Sequence, residues 1–334
     1  MRVYITKRVI LAVPTLLLVS VVVFSLMHLI PGDAVIARLQ EVGVVTDETM
    51  QAMRRELGLD KSFFQQMGDW FRGLGQGDLG QSLWTREPVA DRLVAAIPVS
   101  VELALGGLML AVLIAVPFGV LSAIRQDTWM DYVARLFVIF GISLPDFWVG
   151  TLLILYLSLW FGFLPPLGYT SLFDDPIRNL QQFLLPVLVL GLRLSATTAR
   201  MVRATMLEAL RQDYIRTARA KGLRETLVVY QHALKNAVIP VVTILGTQLS
   251  TLLGGTVILE TLFSLPGVGF LMFSSIGFRD YPQIQANVLF LSAVLVVVNL
   301  LVDISASIMA SATPFWCCAT PKHLTAKSGM ISKP

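Results

Sequence analysis

Long apolar runs separated by short polar stretches dominate the chain. Val9–Ile30 and Leu103–Ile124 each hold 22 residues without a formal charge, and Ala237–Leu259 holds 23. Three further runs carry one charge apiece: Leu136–Leu164 with Asp146, Phe183–Ala199 with Arg193, and Ala286–Ala312 with Asp303. About 20 apolar residues in a helix are enough to cross a bilayer. The pattern therefore predicts an all-α polytopic membrane protein with six transmembrane helices. Arg2, Lys7 and Arg8 precede the first run, as in a signal peptide, but the run ends in Ile30-Pro31-Gly32-Asp33 without a small-x-small cleavage site. It is expected to stay in place as a signal anchor and first span.

The polar stretches are unequal. Pro31–Ile97 is too long for a connector and predicts a small extracytoplasmic (periplasmic) subdomain of short helices between spans 1 and 2. "TDETMQAMRRELGLD" reads as a short helix capped at Thr46 or Asp47 and stopped at Gly58. "FFQQMGDWFRGL" is amphipathic, with Phe64, Met67, Trp70, Phe71 and Leu74 on one side. Between spans 4 and 5, "RATMLEALRQDYIRTARAKGL" predicts one helix with Leu207, Leu210, Tyr214 and Ala218 on a common face, stopped by Gly222. "ETLVVYQHALKNAVIP" then predicts a second short helix, with span 5 beginning at Pro240.

Composition agrees: 55% of residues are hydrophobic, 14% are charged, and the mean hydropathy is +0.71. Charge sets the orientation. Arg200 to Lys235 contains eight basic residues against three acids, whereas Pro31–Ile97 holds seven against ten. Both termini and the basic segment are expected on the cytoplasmic side, and the net charge of +4 calls for no nucleic acid.

Several motifs carry no chemistry. Gly75 to Gly80 spells G-x-G-x-x-G but follows "GDWFRGL" rather than a strand, so it reads as a turn. His28, His232 and His323 are scattered and predict no metal site, and Cys317 and Cys318 are adjacent and read as free thiols. A catalytic residue set is not visible in the spans. Charges inside spans face a cavity or a partner. Asp146 follows Pro145 midway through span 3, and it is either a wall of a translocation path or a structural group at a proline kink. Arg193 is expected to snorkel toward the cytoplasm, and Asp303 to pair with a basic group. A stand-alone membrane enzyme or channel would need convergent polar groups or a symmetric pore helix, and neither is visible.

The basic segment suits either an interfacial helix on anionic lipid or a helix docked in a protein groove. The small residues of Thr217-Ala218-Arg219-Ala220-Lys221-Gly222 favour the groove. Asp213–Pro240 resembles the cytoplasmic "EAA" coupling loop of ABC-importer permeases of the dipeptide/oligopeptide/nickel family. The resemblance extends through "LIPGDA" (29–34), "LGLD" (57–60), "GDLGQS" (77–82), "SLPDFWVG" (143–150), "LPPLGY" (164–169), "QDYIRTARAKGL" (212–223), "HALKNAVIPV" (232–241), "GGTVILETLFSLPGVG" (254–269), "RDYP" (279–282) and "NLLVD" (299–303). After "NLLVDI" the tail departs from the family pattern.

The resemblance implies a type I ABC-importer permease fold and a non-catalytic subunit resembling the first of two permeases. Residues 1–98 would form the anchor helix and extracytoplasmic loop, 99–312 the transmembrane domain with its coupling loop at 200–236, and 313–334 an atypical cytoplasmic tail. Its partners would be a second homologous permease, two cytoplasmic ATPases, an extracytoplasmic binding protein and the lipid of the bacterial inner membrane. The chain would bind no cofactor, ATP and Mg being used by the ATPases. Glu208, Asp213, Tyr214, Arg216, Thr217, Ala218, Arg219, Ala220, Lys221, Gly222 and Leu223 would form the ATPase-coupling loop. Asp146, Arg193 and Asp303 are the candidate intramembrane polar residues. Di- and oligopeptides are the expected cargo, with nickel chelates, glutathione or oligosaccharides as alternatives within the family.

Overall fold

The computed structural model describes residues 2–29, 50–51 and 60–312. The expected helix over "TDETMQAMRRELGLD" and the tail after residue 312 lie largely or wholly outside them. In chain order the helices are α1 (Arg2–Leu29), α2 (Phe63–Gln76), α3 (Val89–Ile124), α4 (Trp129–Ser143), α5 (Asp146–Phe161), α6 (Pro176–Leu210) and α7 (Asp213–Ala220). They continue with α8 (Glu225–Leu227), a π-turn (Val228–Leu234), α9 (Lys235–Gly255), α10 (Val257–Leu262), α11 (Val268–Gly277) and α12 (Tyr281–Ala312).

Four helical stretches among the described residues are individually long and apolar enough to cross a membrane: α3, α6, Glu225–Leu252 and Tyr281–Ser305. The pair α4–α5 passes as a fifth, bent by 97°. The shorter apolar stretch Ile10–Leu26 of α1 stands where the first span is expected.

The centre of the bundle is the parallel pair α3 and α6. Glycines let their backbones approach: a Cβ on Gly107 would lie 2.6 Å from Leu190 Cδ2, and one on Gly191 would lie 2.7 Å from Leu110 Cδ2. Around this seam Val99, Leu103, Phe183, Leu190, Leu252, Leu259 and Phe263 form a buried cluster. A second cluster lies at the end of the bundle that carries the basic segment, where Val120, Val202 and Met206 pack with Ile215, Ala218 and Val228. At the opposite end, Leu93 and Ala96 pack against Val268 and Leu271.

Four expectations change. Span 3 is not one kinked helix. Leu144 and Pro145 are both extended, because a residue before proline is driven out of the helical region, and the chain restarts as α5 at Asp146. The single helix expected over 203–223 divides, with Gln212 extended between α6 and α7. That bend lets Ile215 and Ala218 fold under α6 instead of projecting into solvent. Span 5 does not begin at Pro240, since helical structure runs from Glu225 through the π-turn into α9 and Pro240 lies inside it. It also stops at Gly255, so that Val257–Leu259 belong to the separate helix α10. On α2, Phe64 is exposed while Phe63 and Trp70 meet Phe24 of α1 at ring distances of 5.4 and 5.9 Å.

Candidate functional site

The basic segment forms a docked knob. Within α7, Ile215 and Ala218 are buried, three residues apart as one helical face requires. Tyr214 is held at its hydroxyl, which accepts a hydrogen bond from Asn236 Nδ2 at 3.1 Å. On the other face Asp213, Arg216, Thr217, Arg219, Ala220 and Lys221 are exposed, followed by Gly222 and Leu223. Gly222 has φ +76°, and its N–H donates to the Arg219 carbonyl at 2.9 Å, closing the helix. A Cβ there would meet nothing within 4 Å, so the backbone angle rather than crowding within this chain calls for glycine. Arg219 binds Glu225 across the turn at 2.6 Å, and this hydrogen bond raises the guanidinium above its ordinary pKa. Arg216 and Asp213 form a looser pair at 3.4 Å. Glu208 is exposed on the last turn of α6.

The knob is seated on a polar lock that the sequence reading missed. Asp131 on α4 has no exposed surface. It accepts from Arg203 Nε and Nη2 at 2.9 and 3.0 Å, from Arg135 at 2.5 Å, and from the Ser122 hydroxyl. These bonds tie the α7-proximal ends of α3, α4 and α6 together. By sequence alone Arg203 is one member of a basic cluster. Its partner lies 72 positions away, too far for local spacing to reveal.

The intramembrane charges are paired. Arg193 Nη1 donates to Asp146 Oδ2 at 2.5 Å, which corrects its expected snorkelling. The α4–α5 break brings the first turn of α5 against α6, where a counter-charge competes with water for the guanidinium. Asp303 on α12 meets Arg8 on α1 at 2.8 Å, as its pairing with a basic group required. Asp146 and Arg193 line a cavity of about 600 Å³ at the break, bounded also by α9 and α10.

Two further clusters join motifs that are far apart in sequence. Glu260 is fully buried on α10 and accepts from Ser100 Oγ at 2.8 Å, Thr256 Oγ1 at 2.7 Å and the Phe270 N–H at 2.8 Å. A Cβ at Gly267 would stand 2.5 Å from the Glu260 carboxyl carbon, so this approach requires glycine. Asp280 accepts from Ser82 Oγ and from the Leu83 N–H at 3.0 Å, while Trp84 stacks on Phe278 at 4.5 Å. The segments "GDLGQS" and "RDYP" thus form one corner. Gly77 and Gly80 both have positive φ, as expected of a turn.

Comparison with known proteins accords with this geometry. Residues 115–313 match the family model described as "Binding-protein-dependent transport system inner membrane component", and residues 1–104 match the corresponding N-terminal model. A glutathione transport system permease protein, GsiC, of Escherichia coli O6:H1 is 39% identical over 301 residues, 90% of this chain and 95% of the relative. A putative peptide transport system permease protein of Brucella suis biovar 1 is 38% identical over 304 residues, 91% of this chain and 96% of the relative. The inward-facing MetNI methionine ABC transporter superposes with a TM-score of 0.51 at 19% identity, over 66% of this chain and 96% of that one, a likeness of fold alone.

Proposed function

The chain belongs to the binding-protein-dependent transport system inner membrane components, as an ABC-importer permease of the dipeptide/oligopeptide family, and from that premise we propose that it imports peptides and is driven through α7 by a partner ATPase. Permeases of this family are non-catalytic, and hydrolysis belongs to the separate ATPase. The relatives' names support a peptide cargo, since one is named for glutathione transport and another, putatively, for peptide transport. A second, homologous permease would complete the pathway, and an extracytoplasmic binding protein would deliver the peptide. The positive ends of the bundle, including both termini, face the cytoplasm by the distribution of Lys and Arg.

One observation carries the coupling role. α7 is anchored by Ile215 and Ala218 to the cluster that includes Val120, Val202 and Met206, and its opposite face is exposed. A force applied to that free face reaches α3 and α6 through packed side chains rather than through a loose loop. Gly222→Asp tests the role. A side chain in the left-handed region costs roughly 1 kcal/mol or more, and it projects from the exposed turn at which an ATPase would dock. The variant is expected to insert and to pair with its sister permease, yet to lose bound ATPase or to hydrolyse ATP without uptake. Copurification in detergent, followed by reconstitution with binding protein and peptide, measures both. Full ATPase occupancy with wild-type uptake would remove α7 from the coupling role.

A further inference from the structure

The cavity at the α4–α5 break contains one acid and one base among its lining side chains, Asp146 and Arg193. The rest of its polar lining is neutral and includes Ser143, Thr197, Thr247, Gln248 and Thr251. Its volume, about 600 Å³, is that of a small-molecule site. The two charges are closed on each other at 2.5 Å, with Arg193 56% exposed and Asp146 17% exposed. Each has support that would remain if the pair opened. Asp146 occupies the first turn of α5, where the helix N-terminus favours a carboxylate. Arg193 presents a planar fork suited to a carboxylate, lines the cavity and has more than half of its side chain exposed.

A singly charged solute entering here meets one attractive and one repulsive group. A solute carrying both an ammonium and a carboxylate meets neither penalty, because its ammonium can take Asp146 while its carboxylate takes Arg193. One ion pair is then replaced by two, and no charge is left without a counter-charge in a poorly solvated place. We propose that Asp146 and Arg193 form a zwitterion-binding site at the broken span, closed on itself when empty and opened by a solute with free amino and carboxyl groups. The proposal rests on the importer reading and adds to it the chemistry that the permease itself selects.

The test uses the complete complex, both permeases with their ATPases, in lipid nanodiscs without binding protein. Equilibrium dialysis measures binding of radiolabelled Ala-Ala, N-acetyl-Ala-Ala and Ala-Ala-amide. Wild type is expected to bind Ala-Ala about tenfold or more tightly than either blocked form. Asp146→Asn should abolish the preference for a free amino group but keep that for a free carboxylate, and Arg193→Gln should do the reverse. Gel filtration of each complex checks assembly, and the double variant Asp146→Asn/Arg193→Gln, which leaves no unpaired charge, should bind all three peptides alike. Equal binding of the three by wild type, no binding up to about 10 mM, or both preferences surviving in a single variant would overturn the site. Uptake by wild-type proteoliposomes supplied with binding protein separates the two readings. If peptide enters while the preferences are absent, the zwitterion site fails and the importer stands.

Discussion

Asp131 and Asp213 show how far the worth of an acidic residue depends on its surroundings. Asp131 is without exposed surface and faces Arg203 and Arg135, whereas Asp213 is 95% exposed beside Arg216. Removing the buried Asp131 charge leaves Arg203 without its carboxylate, although Arg135 keeps Asp127, at a cost on the order of 3 kcal/mol, while an exposed pair contributes little. Asp131→Asn is therefore expected to lower the thermal midpoint of the detergent-purified chain by several degrees, and Asp213→Asn to leave it unchanged. Equal midpoints for the two variants would show that the Asp131 lock does not hold the bundle. The motif "QDYIRTARAKGL" marks Asp213 in the sequence, but nothing beside Asp131 marks it. Asp131 lies in the first turn of α4, and only the fold brings Ser122 and Arg203 around it beside Arg135. Glu260 is a parallel case: its acceptors are filled by a serine 160 positions away and by a backbone N–H of α11.

Among the elements, α7 is too short to be stable by itself, since isolated helices of fewer than about 12 residues are marginal in water. Its order comes from docking. Ile215 is fully buried against the cluster beneath α7, and Ile215→Ala should weaken that docking by roughly 2–5 kcal/mol. Hydrogen exchange of the membrane-embedded chain is expected to quicken over 213–223 while the seam of α3 and α6 stays protected. Unchanged exchange over α7 would mean that Ala218 and the Tyr214–Asn236 bond hold it without Ile215. The element boundaries follow the same division of causes. Pro145 is visible in the sequence and ends α4 by local sterics. The division at Gln212 has no comparable local cause and serves the burial of Ile215 and Ala218.

At the scale of the molecule, α3 and α6 run in the same direction, so that Ser62 and Phe173, which precede them, lie toward one end, and Thr226 lies toward the other. By the Lys and Arg asymmetry the Thr226 end is expected in the cytoplasm. In a background with Cys317 and Cys318 replaced by serine, Ser62→Cys and Phe173→Cys should react with an impermeant thiol reagent in intact cells. Thr226→Cys should react only after permeabilisation. Labelling of Thr226→Cys in intact cells would invert the topology and leave α7 out of reach of a cytoplasmic ATPase.

The sequence by itself determined the membrane class, the family and the location of the basic segment, because apolar run length, charge bias and ordered motifs are properties of contiguous residues. It also indicated Asp146 and Arg193 singly, because a charge inside an apolar run is conspicuous. Only the tertiary structure decided that these two meet, that Asp303 takes Arg8, that Asp131 anchors the α7 end of the bundle, and that Glu260 and Asp280 anchor the opposite one. Those pairings join residues tens to hundreds of positions apart. They depend on which helix faces touch, and the touching is set by glycine-lined approach, the 97° break and the burial of small apolar clusters. Local pattern carries no record of such distances.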